Sequence, residues 1–294
     1  MATPPVRTAL ADTYPLPSNA TFRTGIGALL DYVTGLLGST GNAAEARNAL
    51  GIGPVISNRQ LLINAGGAVN QRTYVSGTAT SGANQYTLDR WRVVVSGQNV
   101  AFGAASPDRT MTAPAGGLEQ VIEGILIAGG VYTLSWTGTA TATVNGTAIT
   151  NGGNTASLTA NTNVTVRFSG GTVSLPQFEL GTVATPYERR PYDQELLRCF
   201  RYTQYMVSAG GGGSCTAAGA EFTQFFHVPM RVPPTFANGG NGTIVDGVGT
   251  AAVTSSTLAS SSVTCARIIV AAVGTTAGRG ANVVGQTSAF YAEF

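Results

Sequence analysis

Apolar positions along this chain follow two different periods. Between Ser18 and Gly38, residues Ile26, Leu29, Leu30, Val33, Leu36 and Leu37 recur at helical spacing and form one apolar face. Ser18 or Asn19 serves as N-cap and Gly38 as stop. A second helical stretch, Asn42–Gly51, follows, and Pro54 closes the module; residues 1–17 are Pro-rich and extended. One short helix cannot bury such a face alone, so it needs the second helix, a neighbouring protomer or a docking protein. From Gln60 the period changes to two. Strands are predicted over Arg59–Gly67, Tyr86–Gly97, Asn99–Ala104, Leu118–Ile127, Val131–Gly138, Thr141–Ile149, Asn163–Gly171 and Val173–Gly181. Asn145-Gly146 between Thr/Val runs is a hairpin signal. Short strands at roughly ten-residue spacing, with no helical period between them, predict a β-sandwich of jelly-roll type.

After the sandwich the pattern breaks. The stretch Phe178–Arg201 concentrates charge in a chain that is only 10% charged. Pro191 stands at a helix start, Asp193 and Glu195 lie early in that helix, and Arg198 and Arg201 lie late, an order that complements the helix dipole. Leu196, Leu197 and Phe200 form its apolar face, which predicts a connecting helix with Arg and Glu pairing between protomers. The Gly-rich run Ser208–Cys215 reads as a flexible linker, and Thr216–Phe294 as a second, smaller β domain whose faces an oligomer would bury.

Composition removes several function classes. A 43% apolar content supports a folded core in 294 residues. Every basic residue is Arg, with no Lys for Schiff-base or phosphate-loop chemistry, and the net charge of +2 is too small for a nucleic-acid-binding field. No apolar run approaches the ~20 residues of a membrane span, the N-terminal stretch Met1–Pro17 has no apolar h-region of a secretory signal, and neither membrane insertion nor nucleic acid is expected. Cys199, Cys215 and Cys265 lack metal-site spacing and read as small apolar side chains, although Cys215 and Cys265 could pair if their strands are neighbours.

Catalytic equipment is sparse. His227 is the single histidine, in the apolar run "FFHVPM", with no GxSxG elbow to serve. Glu119 and Glu123 share one strand face and, with Asp108, are the acids a glycosidase would need, but they read as a solvated face. Trp91 and Trp136 read as sandwich core. No catalytic residue, metal site or cofactor is expected.

The strings "LLINAGG", "YTLDRWRV", "LEQVIEG" and "VSLPQFELGTVATPYERRPYDQELLRCFRYTQ" resemble the carbohydrate-binding-module-like jelly roll of bacteriophage tail fibres, and "DTYPLPSNATFRTGIGALLDYVTGLLG" resembles their N-terminal attachment segment. "VPMRVPPT" and the final "AEF" resemble the small β tip domain of such fibres. The run Asn64–Tyr74 departs from the usual first sandwich strand in lacking its aromatic pair. The resemblance implies a mainly β homotrimer with four parts. These are an attachment segment (1–57), the sandwich (58–190), a connecting helix (191–207) and a β tip (208–294). It implies a virion tail protein, made in the bacterial host cytoplasm, that joins tail or baseplate proteins and binds host-surface polysaccharide without enzymatic activity. Ile26, Leu29, Leu30, Val33, Leu37, Leu197 and Phe200 are then candidates for the trimer interface. Arg279, Asn282, Asn238 and Asn241, in Gly/Asn-rich tip loops, are candidates for receptor contact. The alternatives are a virion adaptor or head decoration protein, and a polysaccharide depolymerase.

Overall fold

The computed structural model describes residues 58–294 except Ser106 and Asn241, together with Leu29, Asp31 and Val33. Met1–Ser57 and Asn58–Phe294 are separate units. Leu29, Asp31 and Val33 are helical, with Leu29 61% and Val33 40% exposed. The rest of the N-terminal calls, including Ile26, Leu30 and Leu37, lies outside the described residues.

The chain is mainly β, and its strands form two modules. The first has two antiparallel sheets. One runs in the order β1 (Gln85–Tyr86), β2 (Arg92–Val93), β5 (Leu118–Ile122), β10 (Val164–Ser169), β7 (Thr141–Val144), β8 (Thr147–Ile149). The other runs β3 (Ala101–Phe102), β4 (Met111–Ala113), β11 (Gly171–Leu180), β6 (Tyr132–Thr137), β9 (Gly153–Asn154). Alternation decides what each strand buries: β10 turns Val164, Val166 and Phe168 inward and leaves Thr165, Arg167 and Ser169 half-buried. Both sheets contribute to one core, in which Phe168 lies between Trp91 and Trp136 at 6.1 and 5.5 Å. Both tryptophans are therefore core residues. Asn145 (φ 50°) and Gly146 (φ 80°) make the expected turn between β7 and β8, both in the left-handed region a two-residue hairpin requires.

The first predicted strand is not one. Arg59–Gly67 joins no sheet: it makes one main-chain bond to β11, Leu61 N to Phe178 O, and side chains satisfy most of the rest of its backbone. Gln120 accepts from Ile63 N (2.7 Å) and donates to Ile63 O (2.8 Å). Glu188 accepts from Arg59 N and Gln60 N, and Glu195 from Asn64 N. Tyr86–Gly97 likewise breaks into β1 and β2 around a tight turn at Leu88–Trp91, where Arg90 has φ 71°.

The helix Tyr192–Phe200 follows, with Pro191 as its N-cap residue. It leads into a second module of seven strands: β12 (Thr203–Thr216), β13 (Gly219–Phe225), β14 (Thr235–Gly240), β15 (Thr243–Val245), β16 (Thr250–Ser261), β17 (Cys265–Ala272) and β18 (Gly280–Tyr291). The order β12-β13-β17-β16-β15-β18 closes on itself through β12–β18 pairing, with β14 also on β18. Its interior holds Phe222, Ile268, Val270, Val283 and Phe290, with alanines 220, 251, 266, 272 and 281 between them. A closed ring of so few strands has a narrow bore, and alanine fits where larger side chains would collide.

The Gly-rich run expected as a linker is strand, the middle of β12 paired to β18. At Gly213 an added Cβ would stand 2.1 Å from Glu221 O, and at Gly219 (φ 149°) 1.9 Å from Val270 O. Glycine there is required by close approach of neighbouring strands. All three cysteines are free thiols.

Gly219→Ala is expected to destabilise the protein by at least ~2 kcal/mol, seen as a lower denaturant midpoint. Gly249→Ala, whose new Cβ meets nothing within 4 Å, should stay within about 0.5 kcal/mol. Equal midpoints for the two variants would contradict the close packing at Gly219.

Candidate functional site

The two modules meet across a seam of arginines, carboxylates and aromatic rings. The Leu88–Trp91 turn aims Arg90, 1% exposed, at the second module. Its guanidinium pairs with Glu293, donates to Val121 O at 2.5 Å and lies 3.5 Å from the Tyr202 ring centroid. Glu293 also takes Arg72 at 3.1 Å. Arg92 bonds Glu119 (Nε to Oε1, 2.8 Å) and the main-chain oxygen of Phe294 (3.2 Å). Arg231 donates to Ala292 O (2.7 Å) and Glu293 O (2.5 Å). Residues 292–294 are thus held from four arginines, whose terminal nitrogens find carboxylate or carbonyl partners as burial demands, while the buried Nε of Arg72 and of Arg90 has none.

This seam overturns the reading of Glu119 and Glu123 as a solvated face. Glu119 is 2% exposed and bound by Arg92 and Arg167; Glu123 is 8% exposed and bound by Arg201 (2.8 and 2.9 Å) and the Tyr202 hydroxyl (2.5 Å). Asp108 pairs with Arg189. The helix charges expected to pair between protomers also pair within the chain, Glu195 with Arg190 and Arg201 with Glu123. Strand β5 is buried along its whole length: Leu118 and Ile122 face the core, and on the other face Glu119 is covered by Arg92 and Arg167.

Beside the seam lies a cleft of about 480 Å³, walled on one side by the Arg72–Tyr86 region and on the other by β12 and β18. Tyr74, Tyr86, Tyr205 and Tyr291 supply its rings, and Asn84 and Gln85 its amides. Arg72 and Glu293, bonded to each other, supply its charges. Tyr205 and Tyr291 stand edge to face at 6.4 Å and 87°, their hydroxyls 3.3 Å apart. The Arg72 guanidinium lies over Tyr291 (4.6 Å) and Tyr86 (5.3 Å) and donates to Thr203 Oγ1 (2.6 Å). Burial first, then Glu293, pushes the Tyr86 phenol above its usual range; burial and the Tyr291 hydroxyl do the same for Tyr205. These phenols keep their protons and remain hydrogen-bond donors.

Chemically the cleft is equipped to bind. Its rings offer flat apolar faces, its amides and phenols offer donors and acceptors, and its carboxylate is held by two arginines.

The receptor-contact candidates lie elsewhere. Arg279 is in the turn before β18, its carbonyl accepting from Cys215 N at 2.8 Å. Asn282 is exposed on β18 opposite Gly212 and Val245, at the barrel end away from the sandwich. Asn238 is exposed on β14 opposite Ser288, so Ala237–Gly240 is strand where a loop was expected. Asn241 is outside the described residues. Leu197 is 49% exposed, and Phe200 stacks on the His227 ring at 5.0 Å. The cleft tyrosines had no local signal, since they converge from positions as far apart as 74 and 291.

No protein-family model matches this chain, and no curated protein matches its sequence.

Burial raises the Glu123 carboxyl, but hydrogen bonds from Arg201 and Tyr202 outweigh it and hold the group below its ordinary range. Its stabilising contribution is therefore present above the unfolded value of ~4.3 and lost as pH falls through the lower folded value. The melting-temperature gap between wild type and Glu123→Gln should be widest near neutral pH and narrow on acidification below about pH 4. A gap independent of pH would contradict the assignment.

Proposed function

We propose that this chain is a receptor-binding protein of a bacteriophage tail fibre, a homotrimer that binds host-surface polysaccharide without cleaving it. In this reading residues 1–57 join the tail or baseplate, the sandwich is a jelly roll of the carbohydrate-binding kind, and the closed barrel is the tip. The observation that carries the reading is the tyrosine- and amide-lined cleft between two β modules. Supporting it against a depolymerase, the acids such an enzyme would use, Glu119, Glu123 and Asp108, are each held by arginine. Arms that present several copies of one weak site to a repetitive surface gain avidity from multivalency.

Purified protein should adsorb to host cells and compete with phage adsorption while releasing no soluble sugar from the surface polysaccharide. Failure to adsorb would refute receptor binding, and sugar release that survives Glu119→Gln and Glu123→Gln would still refute the non-enzymatic reading. Antibody labelling on the capsid or tail-tube wall would favour an adaptor or head decoration protein.

The trimer has its own test. Leu29 and Val33 are exposed and helical, and Leu197 is an exposed apolar residue on the connecting helix. Leu197→Asp together with Phe200→Asp should convert trimers to monomers in light scattering. A trimer that persists would place the contact elsewhere.

A further inference from the structure

We propose that the cleft selects an uncharged pyranose segment and rejects both acidic and cationic ligands. The inference rests on the glycan-binding reading above and adds the class of sugar.

The charges of the cleft decide against ionic ligands. Four tyrosines and a carboxylate would ordinarily suit a quaternary ammonium group. Here a cation is already in place: the Arg72 guanidinium lies over both Tyr86 and Tyr291 and would repel a second. An anion fares no better. Arg72 gives one nitrogen, Nη2, to both Glu293 (3.1 Å) and Thr203 Oγ1 (2.6 Å), so an acidic ligand at its remaining nitrogens must sit beside the Glu293 carboxylate and share a charge that carboxylate already neutralises. Arg90 holds that same carboxylate from behind, which fixes it in place.

What the walls favour is a ring with an apolar face and a hydroxylated rim. A pyranose presents its C–H bonds to an aromatic plane and its hydroxyls to the side. Tyr205 and Tyr291, at 87° to one another, supply a plane and an edge, and their hydroxyls, 3.3 Å apart, offer polar contacts. Asn84, exposed at the opposite wall, offers both donor and acceptor. The volume of about 480 Å³ falls in the ~300–1,000 Å³ range of small-ligand sites. Because Arg72 binds the sandwich wall to Thr203 and Glu293 of the other wall, the ring geometry is set before a ligand arrives. Arg72 is a positioning residue in this account.

The test is calorimetric titration of the full chain with maltotriose, cellotriose, chitotriose and mannotriose as neutral probes, and with trigalacturonate and phosphocholine as charged ones. At least one neutral probe should bind. Tyr86→Ala and Tyr291→Ala should each weaken it at least about tenfold, a change of ~1.4 kcal/mol, while Tyr291→Phe, which keeps the ring, retains most of the affinity. Each variant's melting curve separates lost binding from lost folding, and Tyr291→Phe decides the matter if an alanine variant does not fold. Trigalacturonate binding that Tyr291→Ala abolishes, with no neutral probe bound, would overturn the neutral class and leave glycan binding standing. Phosphocholine bound in the same way, no binding by any probe, or binding indifferent to all three variants would overturn the assignment of the cleft. Cell adsorption that persists in that case would show that the receptor-binding reading stands independently of it.

Discussion

A guanidinium taken out of water must find acceptors where it is going, and Arg90 is taken out almost completely. It has one ion-pair partner, Glu293, and one carbonyl, Val121 O, and these belong to different modules. The sandwich and the barrel are thereby obliged to dock in one arrangement, because any other would leave a buried charge unpaired at a cost of several kcal/mol. Arg72, Arg92 and Arg231 repeat the device around residues 292–294, and Arg201 with Glu123 extends it to the connecting helix. The use of Arg throughout suits the task, since a planar fork can hold a carboxylate and a carbonyl at once while its face rests on an aromatic ring, as Arg90 rests on Tyr202.

The cleft follows from that docking. Its two walls come from different modules, and Arg72 spans them. A site built this way is rigid without lying on a single sheet. Its tyrosines are oriented by the same bonds that join the modules, which is why its charges are internally compensated. The ring faces and neutral hydrogen-bonding groups of the cleft are what the proposed sugar would meet, beside an Arg72 and a Glu293 that already neutralise one another.

The charged stretch Phe178–Arg201 shows how local and distant constraints divide. Its helix was legible: acids early, bases late, and an apolar face at Leu196, Leu197 and Phe200. Its purpose was not. Glu188 and Glu195 cap the backbone of residues 59–64 across more than a hundred positions, replacing the ladder that Arg59–Gly67 would have had as a strand. Nothing in the period-two pattern of that run distinguishes a strand from an extended segment satisfied by side chains. The Gly-rich run misled for a related reason. Glycines signal flexibility when nothing lies beside them, but in β12 Gly213 stands where a neighbouring strand comes close enough to exclude a Cβ.

By itself the sequence determined the features carried by near neighbours. These are the alternation that buries Val164, Val166 and Phe168, the Asn145-Gly146 turn, the tryptophans as core and the connecting helix. Each depends on backbone preferences and side-chain periods that act within a few residues. Tertiary structure alone decided the closure of the barrel, the partner of each buried charge and the meeting of Tyr74, Tyr86, Tyr205 and Tyr291 around one cleft. Arg90 and Glu293 are 203 positions apart, and a charge carries no mark of which opposite charge it will meet. That choice is made by the packing of two cores, and the pairing then fixes the packing in place.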